Sequence, residues 1–354
     1  MAQAPSAETP PTAAAEMPPD AAAPPPPEDE KPALPELMRV KVHRLRHEAE
    51  DIRGIELVSE SGAPLPAFKA GAHVDVEVIL PGKVRARRSY SIASPPGENP
   101  FVYHLAVKWE EHSTGGSVFL HENVRLGYVI EITPPKNFFE LRPDAEHSIL
   151  IAGGVGIAPI LAMAYELDAE SMSFEIHYTG HTRERMAFRP QVEGFTGKST
   201  MYVGRDPNKG GLNLRAIMSR PKPGTHVYAC GPTSMIEEVH ALGHEYKWPD
   251  GAVHSEVFKK PEPRPGDGPV EVVIKSSGQT IQVPKDMSIL DAMLAAGVES
   301  DYDCKIGTCG TCSVQVLEGM PDHRDNVLLE AERKANRMCT CVSRSETPRL
   351  VLDL

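Results

Sequence analysis

Tyr302-Asp303-Cys304-Lys305-Ile306-Gly307-Thr308-Cys309-Gly310-Thr311-Cys312, followed at a distance by Cys341, spaces four cysteines as C-x4-C-x2-C-x28-C. This is the ligand pattern of a plant-type 2Fe-2S cluster. Two sulfide-bridged irons need four thiolates in a small volume, and here one tight loop supplies three of them. Gly307 and Gly310 suit that loop because glycine adopts positive φ and lets backbone amides approach cluster sulfurs. A structural zinc site is the competing reading, but zinc ligands usually come as two short pairs rather than three cysteines in one loop. Cys339 and Cys341 compete for the fourth place, and alternation in an extended segment would point both to the same face. The loop makes the chain an electron carrier.

Upstream of the loop, Lys259-Lys260-Pro261-Glu262-Pro263-Arg264-Pro265-Gly266-Asp267-Gly268-Pro269 reads as a semi-rigid linker. Beyond it, Val270-Glu271-Val272-Val273-Ile274 and Thr280-Ile281-Gln282-Val283 flank Ser277-Gly278 as a hairpin. A helix follows from Ser288 to about Ala296, with Ser288 as N-cap, Ile289, Leu290, Met293 and Leu294 as its apolar face, and Gly297 as its stop. This is a β-grasp order.

From Ser148 to about Phe258 apolar strands, glycine turns and helices alternate, which argues for a parallel α/β sheet. Ala152-Gly153-Gly154-Val155-Gly156-Ile157 joins a strand to a helix whose free N-terminal amides suit a phosphate. It lacks the G-x-G-x-x-G order, and read by itself is as much a packing turn as a nucleotide site. Cys230-Gly231-Pro232-Thr233 ends a third strand in the crevice where open α/β sheets bind ligands. Read alone, Cys230 is a small buried hydrophobe. From Met38 to about Leu141 short β runs alternate with turns, and a barrel is expected. Within it, Arg87-Arg88-Ser89-Tyr90-Ser91 groups cation, ring and hydroxyls suited to a phosphate and a planar ring system. Gly115-Gly116-Ser117 precedes a short helix and reads either as an ordinary N-cap or as the rest of a phosphate site.

The 354 residues leave room for two or three domains. Of the net charge of -12, the first 36 residues carry seven acids against Lys31 alone, so the remainder is only mildly acidic and nucleic acid is not an expected partner. Those residues, rich in Pro and Ala, read as a disordered tail or a docking arm. No apolar run approaches the ~18 residues of a membrane span and no secretion signal is present, so a soluble, cytoplasmic protein is expected. Five of the six cysteines lie beyond residue 300, and no disulfide framework is expected.

In this order the motifs resemble the phthalate dioxygenase reductase family, over about residue 38 to the C-terminus, and vanillate O-demethylase reductases look similar. The matching residues are Arg88-Ser89-Tyr90-Ser91, Gly153-Gly154-Val155-Gly156-Ile157 with Cys230-Gly231-Pro232, the cysteine loop, Asp322-His323-Arg324-Asp325, Cys341-Val342-Ser343-Arg344 and Leu350-Val351-Leu352-Asp353-Leu354. The tail 1–36 departs from the family; beyond it the resemblance implies a multidomain chain of antiparallel β-barrel flavin domain 37–142, ferredoxin reductase-like NAD domain 143–258 and β-grasp 2Fe-2S ferredoxin domain 270–354, the last two joined by the linker 259–269. It implies Cys304, Cys309, Cys312 and Cys341 as cluster ligands. FMN rather than FAD is implied beside Arg88, Tyr90, Ser91, Ala106, Val107, Lys108, Gly115, Gly116, Ser117 and Phe258. NADH is implied at Gly153, Gly154, Gly156, Cys230, Gly231 and Pro232, with NADPH left open by Arg183 and Arg185.

The activity so implied is electron transfer from NADH through FMN and the cluster to a separate Rieske-type oxygenase, by a monomer with no catalytic residue beyond the cofactors. Asp301, Asp303 and Lys305 are candidate docking charges. A cytochrome P450 or other haem acceptor is the alternative partner, and an iron-sulfur redox sensor the alternative class. Ala158-Pro159-Ile160 departs from the family's usual Thr-Pro-Met and lacks its hydroxyl.

Overall fold

Alternation of buried and exposed side chains builds the first sheet. In β1 (Met38–Ala49) and β3 (Ala72–Leu80), for example, Val40, Val42, Val74, Val76 and Val78 face inward. With β2 (Ile52–Ser59), β4 (Val84–Ser91), β5 (Tyr103–Lys108), β6 (Val129–Ile132) and the two-residue β7 (Lys136–Asn137), the strand order is β4-β3-β6-β1-β2-β5, β7 pairing with β3. A bridge between Ile92 and Leu105 brings the end of β4 beside β5 and closes the sheet into the expected barrel. Helix α1 (Gly116–Glu122) follows the Gly115 turn. The computed structural model describes residues 1, 37–110, 115–204, 207 and 210–354. The proline-rich segment expected as a tail lies outside the described residues.

The second sheet is wholly parallel, as its continuous apolar strands require. It comprises β8 (His147–Gly153), β9 (Ser173–Gly180), β10 (Ser199–Val203), β11 (Thr225–Cys230) and β12 (Val253–Glu256), in the order β10-β9-β8-β11-β12. The helices between them are α2 (Ile157–Ala169), α3 (Arg189–Gly194), α4 (Leu214–Met218) and α5 (Thr233–Glu245). Counted within the sheet this is order 3-2-1-4-5, so the chain reverses its direction of travel between β8 and β11. Ligands of open α/β sheets bind at such a reversal. Buried Ala93 and Ala106 of the barrel share one apolar cluster with Leu150 and Ala152 of this sheet and Ile157 of α2.

The third sheet, β14-β13-β19-β15-β17, is formed by β13 (Val270–Ile274), β14 (Thr280–Val283), β15 (Ser313–Glu318), β17 (Arg337–Cys339) and β19 (Arg349–Asp353). A small ribbon pairs β16 (Pro321–Asp322) with β18 (Arg344–Ser345), and α6 (Ile289–Ala295) and α7 (Glu330–Lys334) complete the unit. The hairpin at Gly278 (φ +70°) and the helix capped by Ser288, which accepts from the Asp291 amide, stand where the sequence placed them.

The linker is less free than its composition suggests. Arg324 holds the Asp267 carboxylate with two hydrogen bonds, and Arg264 reaches Asp322 at 3.1 Å. The Arg324 hydrogen bonds hold the Asp267 carboxyl down at about 2. Its ordinary value is higher, so its stabilising contribution is present above that value and is lost as pH falls toward 2. Asp267→Asn is expected to cost about 2 kcal/mol at neutral pH, because one partner of a charged hydrogen-bonded pair is removed. It should also flatten the acid limb of the thermal melting curve. An unchanged melting temperature at pH 7 would remove the linker from the list of stabilising contacts.

Candidate redox site

The two glycine turns meet at the reversal between β8 and β11. A Cβ on Gly156 would lie 2.2 Å from the Cys230 carbonyl oxygen, and one on Gly231 would lie 3.0 Å from the Gly153 Cα, so the turns touch through bare backbone. A Cβ on Gly153 would strike the Pro232 ring at 2.7 Å. Gly154, at φ +57°, has nothing near its Cβ position and leaves the space above the turn open. Gly153, Gly154, Gly156, Cys230, Gly231 and Pro232 therefore line one crevice that a nucleotide could enter beside the start of α2. Gly156→Ala is expected to destabilise the chain by about 2–3 kcal/mol, because backbone cannot give way as a side-chain end can. Nucleotide binding should weaken with it. A melt and a titration matching wild type would refute the packing argument.

The barrel meets these turns through Ser91, which hydrogen-bonds Glu256 beside Cys230. The Cβ position of Gly116 lies 2.7 Å from Arg88 Cγ, so the Arg88 side chain lies across the glycine turn at the start of α1. Ser117 Oγ accepts from the Glu110 amide at 3.3 Å. Arg88, Gly115, Gly116 and Ser117 so form one polar corner whose chemistry suits a phosphate. Toward the other end, the bridge Ile92–Leu105 continues the register to place Ser91 by Ala106. Tyr90 is half-buried, and burial pushes its hydroxyl above its ordinary value. Glu110 links Lys108 at 2.9 Å to Lys259 at 3.1 Å, tying the residue after Phe258 to the end of the barrel strand. Phe258 itself is 42% exposed, a ring available to cover a planar ligand.

A residue that sequence reasoning passed over sits at the centre. Glu256, at the end of β12 and opposite Cys230 in register, is buried and accepts a hydrogen bond from Ser91 Oγ at 3.0 Å. Burial pushes its carboxyl up to about 8, so it holds a proton at neutral pH. Burial also raises the Cys230 thiol well above its ordinary range, with the Glu256 charge adding to the effect. A barrel serine, a thiol of the parallel sheet and a protonated carboxyl thus share one dry spot. Nothing in the local string Val253-His254-Ser255-Glu256-Val257-Phe258 marks Glu256, because only the packing of two domains buries it.

In the cysteine loop the thiols of Cys304 and Cys309 lie within hydrogen-bonding reach of each other, and that of Cys312 lies within reach of Cys339 and Cys341. Among the described residues no three His, Cys, Asp or Glu side chains gather as ligands of a single metal ion would. A pair of thiols and a separate group of three, rather than one tetrahedral set, fit a binuclear cluster better than zinc. Gly307 (φ +84°) and Gly310 (φ +76°) have the positive φ that the loop was expected to need.

Cys339 and Cys341 do face the same side, both thiols lying within reach of Cys312, though not through strand alternation. The β17 strand ends at Cys339 and the chain turns at Thr340–Val342, so alternation does not extend to Cys341. Cys341 receives the Gly307 amide and is near Cys304, while Cys339 lies beside Asp325. The expected docking charges are also partly committed. Asp303 pairs with Lys136 of the barrel at 2.9 Å, and Lys305 pairs with Asp291 at 3.1 Å while resting over the Tyr302 ring. Asp301 is exposed. Arg185 and Arg183 are paired with Glu50 and Glu193, at 2.8 and 3.3 Å.

A barrel and a nucleotide-type parallel sheet that meet at Ser91 and Glu256, with a cluster-type cysteine loop held to the barrel by Lys136, define an NAD(P)H-dependent flavin and iron-sulfur oxidoreductase. The 2Fe-2S iron-sulfur cluster binding domain model matches residues 272–346. The vanillate O-demethylase oxidoreductase of Pseudomonas sp. (strain HR199 / DSM 7063) is 39% identical over 90% of this chain and 100% of its own length. A solved phthalate dioxygenase reductase, described as a modular structure for electron transfer from pyridine nucleotides to 2Fe-2S, is 34% identical with a TM-score of 0.63 over 90% of this chain and 98% of that one. The chain belongs to the phthalate dioxygenase reductase family. An intact type IV self-sufficient cytochrome P450 monooxygenase is similar over 92% of this chain, at 33% identity and a TM-score of 0.70, but the chain spans only 43% of that protein. Among the described residues no helix is long and apolar enough to cross a membrane.

Proposed function

We propose that the chain is the reductase component of a multicomponent oxygenase, taking hydride from NADH and delivering single electrons to a separate Rieske-type non-haem iron oxygenase. The observation that carries this reading is the meeting of Ser91, Cys230 and Glu256 where the barrel, the glycine turns and β12 join. The working division is barrel 37–142, nucleotide domain 143–258, linker 259–269 and cluster domain 270–354. Bound FMN would accept a two-electron hydride and release electrons singly, which a one-electron cluster requires.

The chain's own residues hold, orient and exclude water. Arg88 and the Gly115–Ser117 turn would hold the flavin phosphate, with Tyr90, Ser91, Ala106 and Lys108 along its ring and Phe258 over it. Gly153, Gly154, Gly156 and Cys230–Pro232 would admit the nucleotide so that its ring end lies toward Ser91. Glu256 keeps a proton on its carboxyl, within reach of Ser91 Oγ. Cys304, Cys309, Cys312 and Cys341 would hold the cluster. The pairing of Arg183 and Arg185 with carboxylates supports NADH over NADPH, because neither cation is left to a 2'-phosphate without breaking its pair.

A haem acceptor is the second reading, favoured by the likeness to the reductase-length part of the self-sufficient P450. The deciding experiment is an anaerobic NADH titration followed through the visible spectrum, with analysis of acid-released flavin. Bleaching of both flavin and cluster bands, with FMN released, is the expected result. Cluster bands that NADH leaves unchanged, with no flavin released, would return the redox-sensor class to the front. Oxygenase and P450 partners are then separated by which one turns over with the reduced protein.

A further inference from the structure

A lateral row of residues runs from the crevice to the cysteine loop. Ser91 on β4 pairs with His73 on β3, and His73 pairs on its other side with Lys136 on β7. His73 is buried against Phe138 and lies within electrostatic range of Asp303 and Cys304. The Lys136 ammonium donates to Asp75 Oδ2 at 3.2 Å within the barrel and to Asp303 Oδ1 and Oδ2 at 2.9 and 3.0 Å across to the cluster domain. Asp75 is itself fixed by the Ser89 hydroxyl. One half-buried cation thus bridges a rigid strand carboxylate and the residue immediately before a cluster-type cysteine.

Resting on the reductase reading, we propose that Lys136 is a positioning residue for electron transfer between the flavin site and the cluster. It holds the Asp303–Cys304 end of the cysteine loop against the barrel edge that ends at Ser91. Each transfer removes one electron from the reduced flavin and reduces the cluster by one, with no bond formed between them, and hydride from NADH replenishes the pair. The separation of the two sites therefore governs the step, and Lys136 sets one side of it. Without the ammonium, Asp75 and Asp303 face each other as like charges, which costs more than the loss of an ordinary surface pair. Other contacts bind the cluster domain elsewhere, notably Asn326 Nδ2 to Ser255 Oγ at 2.9 Å and the Glu330 amide to Asp250 at 3.4 Å. Loss of Lys136 should accordingly tilt the loop away from the barrel rather than release the domain.

The test uses the full chain with its cofactors as Lys136→Glu, Asp303→Lys and the double swap, in stopped-flow reduction by NADH. Flavin reduction is expected to stay within about twofold of wild type while cluster reduction slows by about tenfold or more in Lys136→Glu, and the swap restores most of the rate. Hydrogen exchange on the same proteins, before any NADH is added, should show faster exchange of the cysteine-loop amides in Lys136→Glu and wild-type protection in the swap. Cluster reduction at the wild-type rate in Lys136→Glu, or failure of the swap to restore a slowed rate, overturns the proposal while leaving the reductase reading intact. If NADH bleaches neither flavin nor cluster in the wild-type protein, the reductase reading fails and the proposal fails with it.

Discussion

Cys341→Ser is expected to remove the cluster's visible bands and to lower cluster-dependent reduction of a one-electron acceptor by about a hundredfold, while flavin-level reduction of ferricyanide by NADH persists. Cys339→Ser is expected to retain most of the iron and at least half of the delivery. The difference comes from the turn at Thr340–Val342, which presents Cys341 to the Gly307 amide and leaves Cys339 beside Asp325. A cluster sulfur needs such an amide and a position between the loop thiols. Both thiols share one apolar cluster with Leu290 and Leu328, so the amide contact and not burial separates them, and serine in place of the thiol without that contact costs stability instead. Iron content per chain for the two variants settles the assignment. Iron retained in Cys341→Ser and lost in Cys339→Ser would reverse it.

Glu256→Ala is expected to slow flavin reduction by NADH by about a hundredfold, the scale of losing a positioned proton-holding group. It leaves the Ser91 hydroxyl without its buried partner, a loss of about 1–3 kcal/mol in stability as well. Glu256→Gln keeps the shape and an acceptor for Ser91, so it should fold as wild type and separate the two effects. The pH dependence gives an independent reading. The Glu256 carboxyl is held up at about 8 in the folded chain against 4.5 ordinarily. The native state therefore retains a proton that the unfolded chain loses, and this group's contribution to stability falls as pH rises from 4.5 toward 8. In Glu256→Gln that slope should vanish, giving a higher melting temperature than wild type near pH 8. A variant with the wild-type slope and wild-type flavin reduction would show that the carboxyl is an ordinary, solvated one.

The cluster loop was legible in the sequence because its ligands are local: three cysteines and two positive-φ glycines fall within nine residues, 304–312. The strands and the Ser288-capped helix were legible for the same reason, since period and cap are short-range signals. Cys339 and Cys341 were not separable by periodicity, because residues two apart fall on one face of an extended segment, and the strand end at Cys339 with the turn after it is visible only in the fold. Asp303 and Lys305 looked like free charges until the fold supplied Lys136 and Asp291 as partners from about 170 and 14 residues away.

By itself the sequence determined what chemistry the chain can hold and in what order its parts stand: thiols for a cluster, two strand-to-helix glycine turns, and a barrel with a cation beside a ring and hydroxyls. These are properties of residue type and short spacing, which the backbone expresses wherever the segment folds. Only the tertiary structure decided how the parts are joined. It places Glu256 of β12 on Ser91 of β4, presses Gly156 onto the Cys230 carbonyl, and sets Lys136 of β7 on Asp303 of the cysteine loop. Burial and pairing depend on what packs against a group from remote segments. A carboxyl that keeps its proton and a lysine that aligns two domains therefore leave no mark in their own stretch of sequence.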